Sequence, residues 1–268
     1  NTDTLELITV NPKKQTLTTT AIPRDTLVRV ETKNKVEYTK INAAYALGGP
    51  TEIKKQVHEL LDVPVDYYAL VNMGGLEKTV DAVGGVTVNN PFAFKYEGHT
   101  YPKGKQYLNG SEALGYSRMR YDDPDNDYGR QKRGQQVLLS ALAKVNKSKN
   151  IMQMNSLLDT AKDNVRTDLP LDDLMTLYKN YHGALANTQS DYLQGKNATI
   201  DNFSFQIAPN REMQRLSDNT RQALGLAKVK VNNIQTKMNG MQTSWNGYNN
   251  VDYVLPNNAQ VYIPVNKV

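Results

Sequence analysis

The chain has 268 residues, 39% hydrophobic and 22% charged, with 32 Lys+Arg against 27 Asp+Glu for a formal net charge of +5. This content builds a core rather than a disordered tail, and the charge bias is too weak for a nucleic-acid binder. Cysteine is absent, which excludes disulfides, thiolate metal sites and cysteine nucleophiles, and no apolar run approaches the ~20 residues of a membrane span.

The branched apolar run Thr4–Val10 predicts a strand, Asn11-Pro12-Lys13-Lys14 a polar turn, and the Thr-rich run Thr16–Ile22 a second strand that closes a hairpin. Pro23 has no N–H for a ladder and ends that strand. Arg24 and Asp25 thus fall at a strand end, where sheets of α/β proteins carry their chemistry. Gly48-Gly49-Pro50 predicts a loop, with Pro50 in the first turn of a helix whose Ile53, Val57, Leu60 and Leu61 recur at helical spacing. Asp62–Asp66 stops that helix, and Tyr67–Val71 reads as a strand. Gly74–Val83 places Leu76, Val80 and Val83 on one helical face ahead of Gly84-Gly85, and Val86–Val88 is a short strand. Leu108–Tyr116 opens on a capping sequence, Asn109-Gly110-Ser111. Tyr121–Gly129 is a polar loop with four Asp, and Arg130–Asn146 a helix with Val137, Leu138, Ala141, Leu142 and Val145 as its stripe. Helices are expected at Ile151–Val165 and Leu171–Leu185, and strand and loop beyond Gly195. Strands interleaved with helices predict one α/β or α+β domain.

Two places concentrate charge. Arg24-Asp25 is a charged pair in an otherwise uncharged stretch. The second place runs from Tyr116 to Arg133. In an extended stretch Arg118 and Arg120 share a face, and two guanidinium forks side by side suit a phosphate. Arg130 and Arg133 share a face at the expected helix start. Cations there oppose the macrodipole by ~0.3–1 kcal/mol, which a bound anion would relieve. On composition alone a solvated charged loop serves as well, because residues 118–133 hold five cations and four Asp. His58, His99 and His182 are scattered without metal spacing and read as surface or core histidines. Gly74-Gly75 and Gly84-Gly85 match neither a Walker loop nor a dinucleotide fingerprint, and Ser occupies no nucleophile elbow.

Asp3-Thr4 ahead of the first strand and Thr20-Ala21-Ile22-Pro23-Arg24-Asp25-Thr26 are followed by Lys40-Ile41-Asn42-Ala43-Ala44-Tyr45 and Gly48-Gly49. Val65-Asp66-Tyr67-Tyr68, Val71-Asn72 and Val83-Gly84-Gly85-Val86 come next. Last are Leu108–Leu114, and Arg118-Met119-Arg120 through Asp127-Tyr128-Gly129-Arg130-Gln131. In order and spacing these motifs, over residues 1–145, resemble the LytR–CpsA–Psr family; residues 146–268 resemble it only weakly.

The resemblance implies a single-domain α/β/α-like sandwich with a mixed central sheet and a hydrophobic tunnel for a polyprenyl tail. It implies a phosphotransferase that moves wall teichoic acid, capsular or related polysaccharide from a polyprenyl-pyrophosphate carrier to peptidoglycan. The enzyme would work outside the cytoplasmic membrane of a Gram-positive bacterium. An anchor, a strand and a further aspartate are expected upstream of Asn1, since the chain begins without Met. Carried over by position, Asp3 holds Mg2+ or Mn2+, and Arg24, with Asp25 beside it, joins Arg118, Arg120 and Arg130 in clamping the pyrophosphate. Lys40 is a site lysine, and Asp127 a general base or an arginine-orienting carboxylate. The sequence departs from the family at Asn1, usually Arg, and at Gly134, usually Gln, with Gln135 adjacent as the substrate-binding glutamine. Val57, Leu60, Leu61, Val137 and Leu138 suit a tunnel wall and equally an ordinary core. Two rival functions use the same arginines: a non-catalytic regulator that binds the lipid pyrophosphate or glycopolymer, and a pyrophosphatase-like hydrolase with water as acceptor.

Overall fold

The computed structural model describes residues 4–147, 159–160, 163–247 and 252–264. In chain order the strands are β1 (Leu5–Asn11), β2 (Thr16–Ile22), β3 (Leu27–Glu31), β4 (Val36–Lys40), β5 (Ala69–Val71), β6 (Val86–Asn90), β7 (Phe94–Tyr96), β8 (His99–Tyr101), β9 (Gly104–Leu108), β10 (Val165–Thr167), β11 (Thr188–Tyr192), β12 (Lys196–Ile200) and β13 (Phe203–Ile207). The helices are α1 (Ile41–Leu61), α2 (Met73–Ala82), α3 (Gly110–Arg118), α4 (Asn126–Lys147), α5 (Leu171–Tyr181), α6 (Asn210–Ala223) and α7 (Ile234–Gly240). The architecture is mixed α/β. The strands form a sheet of order β1-β2-β11 and the pairs β3-β4, β5-β10, β6-β9, β7-β8 and β12-β13. Among the described residues no helix is long and apolar enough to cross a membrane.

The chain divides into two compact units. The first takes the residues up to Thr9, Ile22–Tyr68 and those from Asp191 on; the second takes Val10–Ala21 and Ala69–Ser190.

In the first unit β3 and β4 pair antiparallel from Leu27↔Lys40 to Glu31↔Val36. β12 and β13 join through Asp201 and Asn202, whose φ of 48° and 66° make the tight turn that Asp and Asn tolerate. Parallel bridges at Thr26↔Gln206 and Tyr38↔Val261 give the unit both senses of pairing. α1 is broken at Gly49, where φ is 66° and Pro50 offers no N–H. The break stands where Gly-Gly-Pro predicts a loop, and the helical residues before it, Ile41–Gly48, are an element to which the sequence reading assigns nothing. Their short Ala-rich run has no long apolar period to read. At its far end α1 stops on Asp62 in the left-handed region.

Val57, Leu60 and Leu61 are packed with Ile22, Val28, Val30, Met213 and Leu216, so these tunnel-wall candidates serve as core. α6 and α7 correct the expectation of only strand and loop beyond Gly195. α6 buries Met213, Leu216, Ser217 and Thr220 on one face, and its two hydroxyl residues hide the apolar period.

In the second unit β6 pairs with β9, and β7 with β8 through a turn at Glu97-Gly98 (φ 48° and 80°). α3 opens with a reciprocal cap: Asn109 Oδ1 accepts from the Glu112 N–H and Glu112 Oε2 from the Asn109 N–H, each at 2.9 Å. α4 lies along β6. The Thr87 N–H donates to Ser140 Oγ at 2.8 Å and the Asn89 N–H to Gln136 Oε1 at 3.0 Å. Two residues along a strand, ~6.6 Å, match four along a helix, ~6 Å, so one helix face serves successive outward N–H groups. The core gathers Val80, Val86, Val88, Phe94, Tyr101, Leu108, Tyr116, Met119 and Val137.

Three sequence expectations change here. The strand at Tyr67–Val71 is only Ala69–Val71. The helix over 151–165 lies mostly outside the described residues, and Val165 instead opens β10, paired with Val71. α4 begins at Asn126 rather than Arg130, because Asp127 is a favourable first-turn residue and the four Asp are not all loop.

Candidate functional site

In the first unit the chain leaving β2 folds into a tight turn. The Thr26 N–H and Oγ1 both donate to the Pro23 carbonyl, at 3.0 and 2.6 Å. The opening amides of α1 bind the same turn: Ile41 N–H donates to Thr26 O at 2.8 Å and Asn42 N–H to Arg24 O at 3.2 Å. Gln206 N–H donates to Asp25 O at 2.9 Å. The backbone of Arg24 and Asp25 is thus fixed by β13 and the start of α1. Asp25 Oδ1 lies 3.0 Å from Lys40 Nζ and Oδ2 lies 3.7 Å from Arg24 Nε, with all three side chains about a quarter exposed. Lys40 Nζ also sits 5.5 Å from the centre of the Phe205 ring, a cation–π contact. Arg24, Asp25 and Lys40 are therefore brought together.

In the second unit Arg118 is the last residue of α3, so it does not share a strand face with Arg120 as an extended chain would arrange. Arg118 Nη1 donates to Glu97 Oε1 at 2.8 Å, at the tip of the β7–β8 hairpin. Arg120 Nε lies 3.7 Å from Asp127 Oδ1. Asp127, in the first turn of α4, accepts from Arg130 Nε at 2.9 Å and from Gln131 Nε2 at 2.9 Å, with Arg130 Nη2 at 2.8 Å. This carboxylate is ringed by donors, a geometry that fits orienting arginines better than taking a proton. Arg130 is buried and stands in the second turn of α4, not at its start, so the first-turn conflict with the macrodipole does not arise. Gln135 is buried on the same helix.

Arg133 has a different part. It is 1% exposed and donates through Nε to Tyr116 O at 2.9 Å, through Nη1 to the Asp123 carboxylate and through Nη2 to Met119 O. Its guanidinium also faces the rings of Phe94 and Tyr116, 5.4 and 5.8 Å away. It is a brace for the segment 116–123, not a free cation beside Arg130. Asp123 in turn caps the next turn, accepting from the Asp125 N–H at 2.7 Å. A Cβ on residue 129 would meet Asp123 Oδ2 at 1.9 Å, so only Gly129 fits. Burial pushes the Tyr116 hydroxyl up to about 12, with Arg133 pulling the other way and Asp123 adding to the rise.

Sequence reasoning missed Glu97, Gln131 and the bracing role of Arg133. The spacing of Asp127, Arg130 and Gln131 carries the second of these once the helix starts at Asn126. The Asp123–Arg133 pair leaves no such local mark. Asp3 lies outside the described residues. Among the described residues no three His, Asp or Glu side chains come together to hold a metal ion, so these donors do not by themselves make a divalent site.

A mixed α/β fold that sets arginines and a lysine among carboxylates, at a strand end in one unit and around a helix start in the other, defines a protein equipped to handle anions. The chain belongs to the LytR_cpsA_psr family, whose model matches residues 1–222, well past the motifs of residues 1–145. It is 38% identical over 227 residues to the polyisoprenyl-teichoic acid–peptidoglycan teichoic acid transferase TagU of Bacillus cereus, covering 84% of this chain and 74% of that one. Among solved structures it resembles B. subtilis TagU, with a TM-score of 0.67, 34% identity, and 85% and 94% of the two chains covered. It also resembles TagT bound to LIIa-WTA, with a TM-score of 0.71, 27% identity, and 84% and 86% covered.

Proposed function

We infer that this chain is a phosphotransferase of the Gram-positive cell envelope. It moves an anionic glycopolymer, such as wall teichoic acid or a capsular polysaccharide, from a polyprenyl-pyrophosphate carrier to peptidoglycan. The observation that carries this reading is the 36–38% identity, over more than four-fifths of the chain, to relatives named as teichoic acid transferases. We place the reaction at the outer face of the cytoplasmic membrane, reached through an anchor upstream of Asn1.

The residues suit the chemistry. A diphosphate repels a nucleophile, and fixed cations that neutralise it lower the barrier to phosphoryl transfer. Arg118 and Arg120 are 42% and 38% exposed, and among the described residues each is held only by a surface ion pair. Such pairs are worth ~0–1 kcal/mol, so a diphosphate can take over the guanidinium at little cost. Arg130, oriented by Asp127, and Arg24 with Lys40 complete the set assigned to the diphosphate, with Gln135 assigned to the substrate. Asp25 has fewer donors around it than Asp127 and is the carboxylate assigned to take the proton from the acceptor hydroxyl. Mg2+ or Mn2+ on Asp3 belongs to the proposal too; bound there, it would add charge neutralisation at the phosphate oxygens.

The experiment is transfer from a pyrophosphoryl-lipid-linked glycan to peptidoglycan by the purified chain. Arg24→Ala, Arg118→Ala and Arg120→Ala should each lower the rate by about 10²-fold, the scale of losing one stabilising donor. Wild-type rates in all three would overturn the assignment. Chelation by EDTA should stop turnover and added Mg2+ restore it; a chain that only binds the lipid shows no turnover to stop.

A further inference from the structure

Tyr121 is 89% exposed, the most of any large hydrophobic side chain among the described residues. Single exposed hydrophobes are ordinary; this one differs in what lies beneath it. Arg133 grips the Met119 carbonyl on one side and the Asp123 carboxylate on the other. The Asp123 N–H donates to Arg120 O at 3.3 Å and the Asn126 N–H to Asp123 O at 2.9 Å. The loop that carries Tyr121 is therefore tied to a buried guanidinium, while its ring makes no hydrogen bond or ring contact with any described residue. An aromatic side chain with two rotatable bonds on a tethered backbone loses little freedom on binding.

The surroundings narrow the ligand. Arg120 precedes Tyr121 and exposed Asp122 follows it, so its neighbours in the chain are charged rather than the apolar residues that would receive a lipid tail. A ring face framed by charged neighbours matches a saccharide, whose C–H face is apolar and whose rim is hydroxyl. Tyr121 follows Arg120 directly, with Cα atoms ~3.8 Å apart. A ligand held by Arg120 therefore sits beside the tethered loop that carries the ring.

We propose that Tyr121 is a stacking face for the sugar joined directly to the diphosphate of the donor lipid. This rests on the reading that Arg118 and Arg120 bind that diphosphate. The tyrosine adds recognition of the first saccharide, so that a glycosylated carrier is held more tightly than the bare one.

The test compares two probes on the whole chain: polyprenyl pyrophosphate bearing one sugar, and the same lipid without it. Tyr121→Ala should raise Kd for the glycosylated probe about tenfold, a change of ~1.4 kcal/mol. It should leave Kd for the bare lipid and the melting temperature unchanged, and Tyr121→Phe should behave as wild type. Equal weakening for both probes, no weakening for either, or a loss in Tyr121→Phe equal to that in Tyr121→Ala overturns the stacking role while leaving the diphosphate assignment standing. If the wild-type chain binds neither probe, the diphosphate reading fails first and the stacking role falls with it.

Discussion

Arg118 and Arg133 stand 15 residues apart in the sequence, and both sit on helices of the second unit with a carboxylate partner. The Arg118 side chain is 42% exposed and among the described residues has Glu97 alone; the Arg133 side chain is 2% exposed and holds two backbone carbonyls besides Asp123. Arg133 spends its donors on these three partners, which makes its burial tolerable, and so its guanidinium cannot turn to a ligand. An exposed one with a single partner can. Whether an arginine in this stretch supports the fold or meets a substrate is decided by how many backbone acceptors surround it, not by its charge.

The largest expected effect breaks the buried side of this comparison. Arg133→Met or Asp123→Ala, each leaving its partner buried and uncompensated, should lower stability by ~3–5 kcal/mol in a denaturant titration. A loss below ~1 kcal/mol would place Arg133 with the surface cations. Gly129→Ala drives a methyl group into the Asp123 carboxylate and should destabilise by ~1–3 kcal/mol, read by the same titration. An unchanged midpoint would show that Asp123 can leave Arg133 freely.

Asp191 in the first unit is an intermediate case. Burial raises its pKa, but hydrogen bonds from Arg215, the Tyr192 N–H and Asn219, together with the charge of Arg215, outweigh it and hold the carboxyl below the ordinary 3.8. Its contribution is present above that ordinary value and is lost as pH falls through the lowered folded value. The stability gap between wild type and Asp191→Asn should therefore close in thermal melts at acid pH below about 4; a constant gap would mean packing, not charge. Smallest is Arg118→Ala, which should change stability by no more than ~1 kcal/mol while transfer falls. A large stability loss there would erase the contrast with Arg133.

The parts of the fold that were legible in the sequence are those coded locally. Pro23 ended β2, Asp62 ended α1 and Asn109 opened α3 as their residue types dictate. The β7–β8 hairpin and α6 were not read: Glu97 stands at a positive φ that Gly or Asn usually takes, and Ser217 and Thr220 sit on the buried face of α6. At the site, Arg24 and Asp25 were legible as a charged pair at a strand end, whereas Lys40 was named only through the family resemblance, because β3 and β4, which return the chain to its starting point, were not read. The fate of Arg133 was not, since its acceptors at 116, 119 and 123 become neighbours only when α3 ends and α4 begins.

The pair of side chains that α4 lends to β6 has a consequence for life at high concentration. An outer strand with free amides is a template for another chain to add to. Here Ser140 and Gln136 already occupy two of those amides, at Thr87 and Asn89. That margin is sealed by its own helix against intermolecular strand addition, the first step of aggregation.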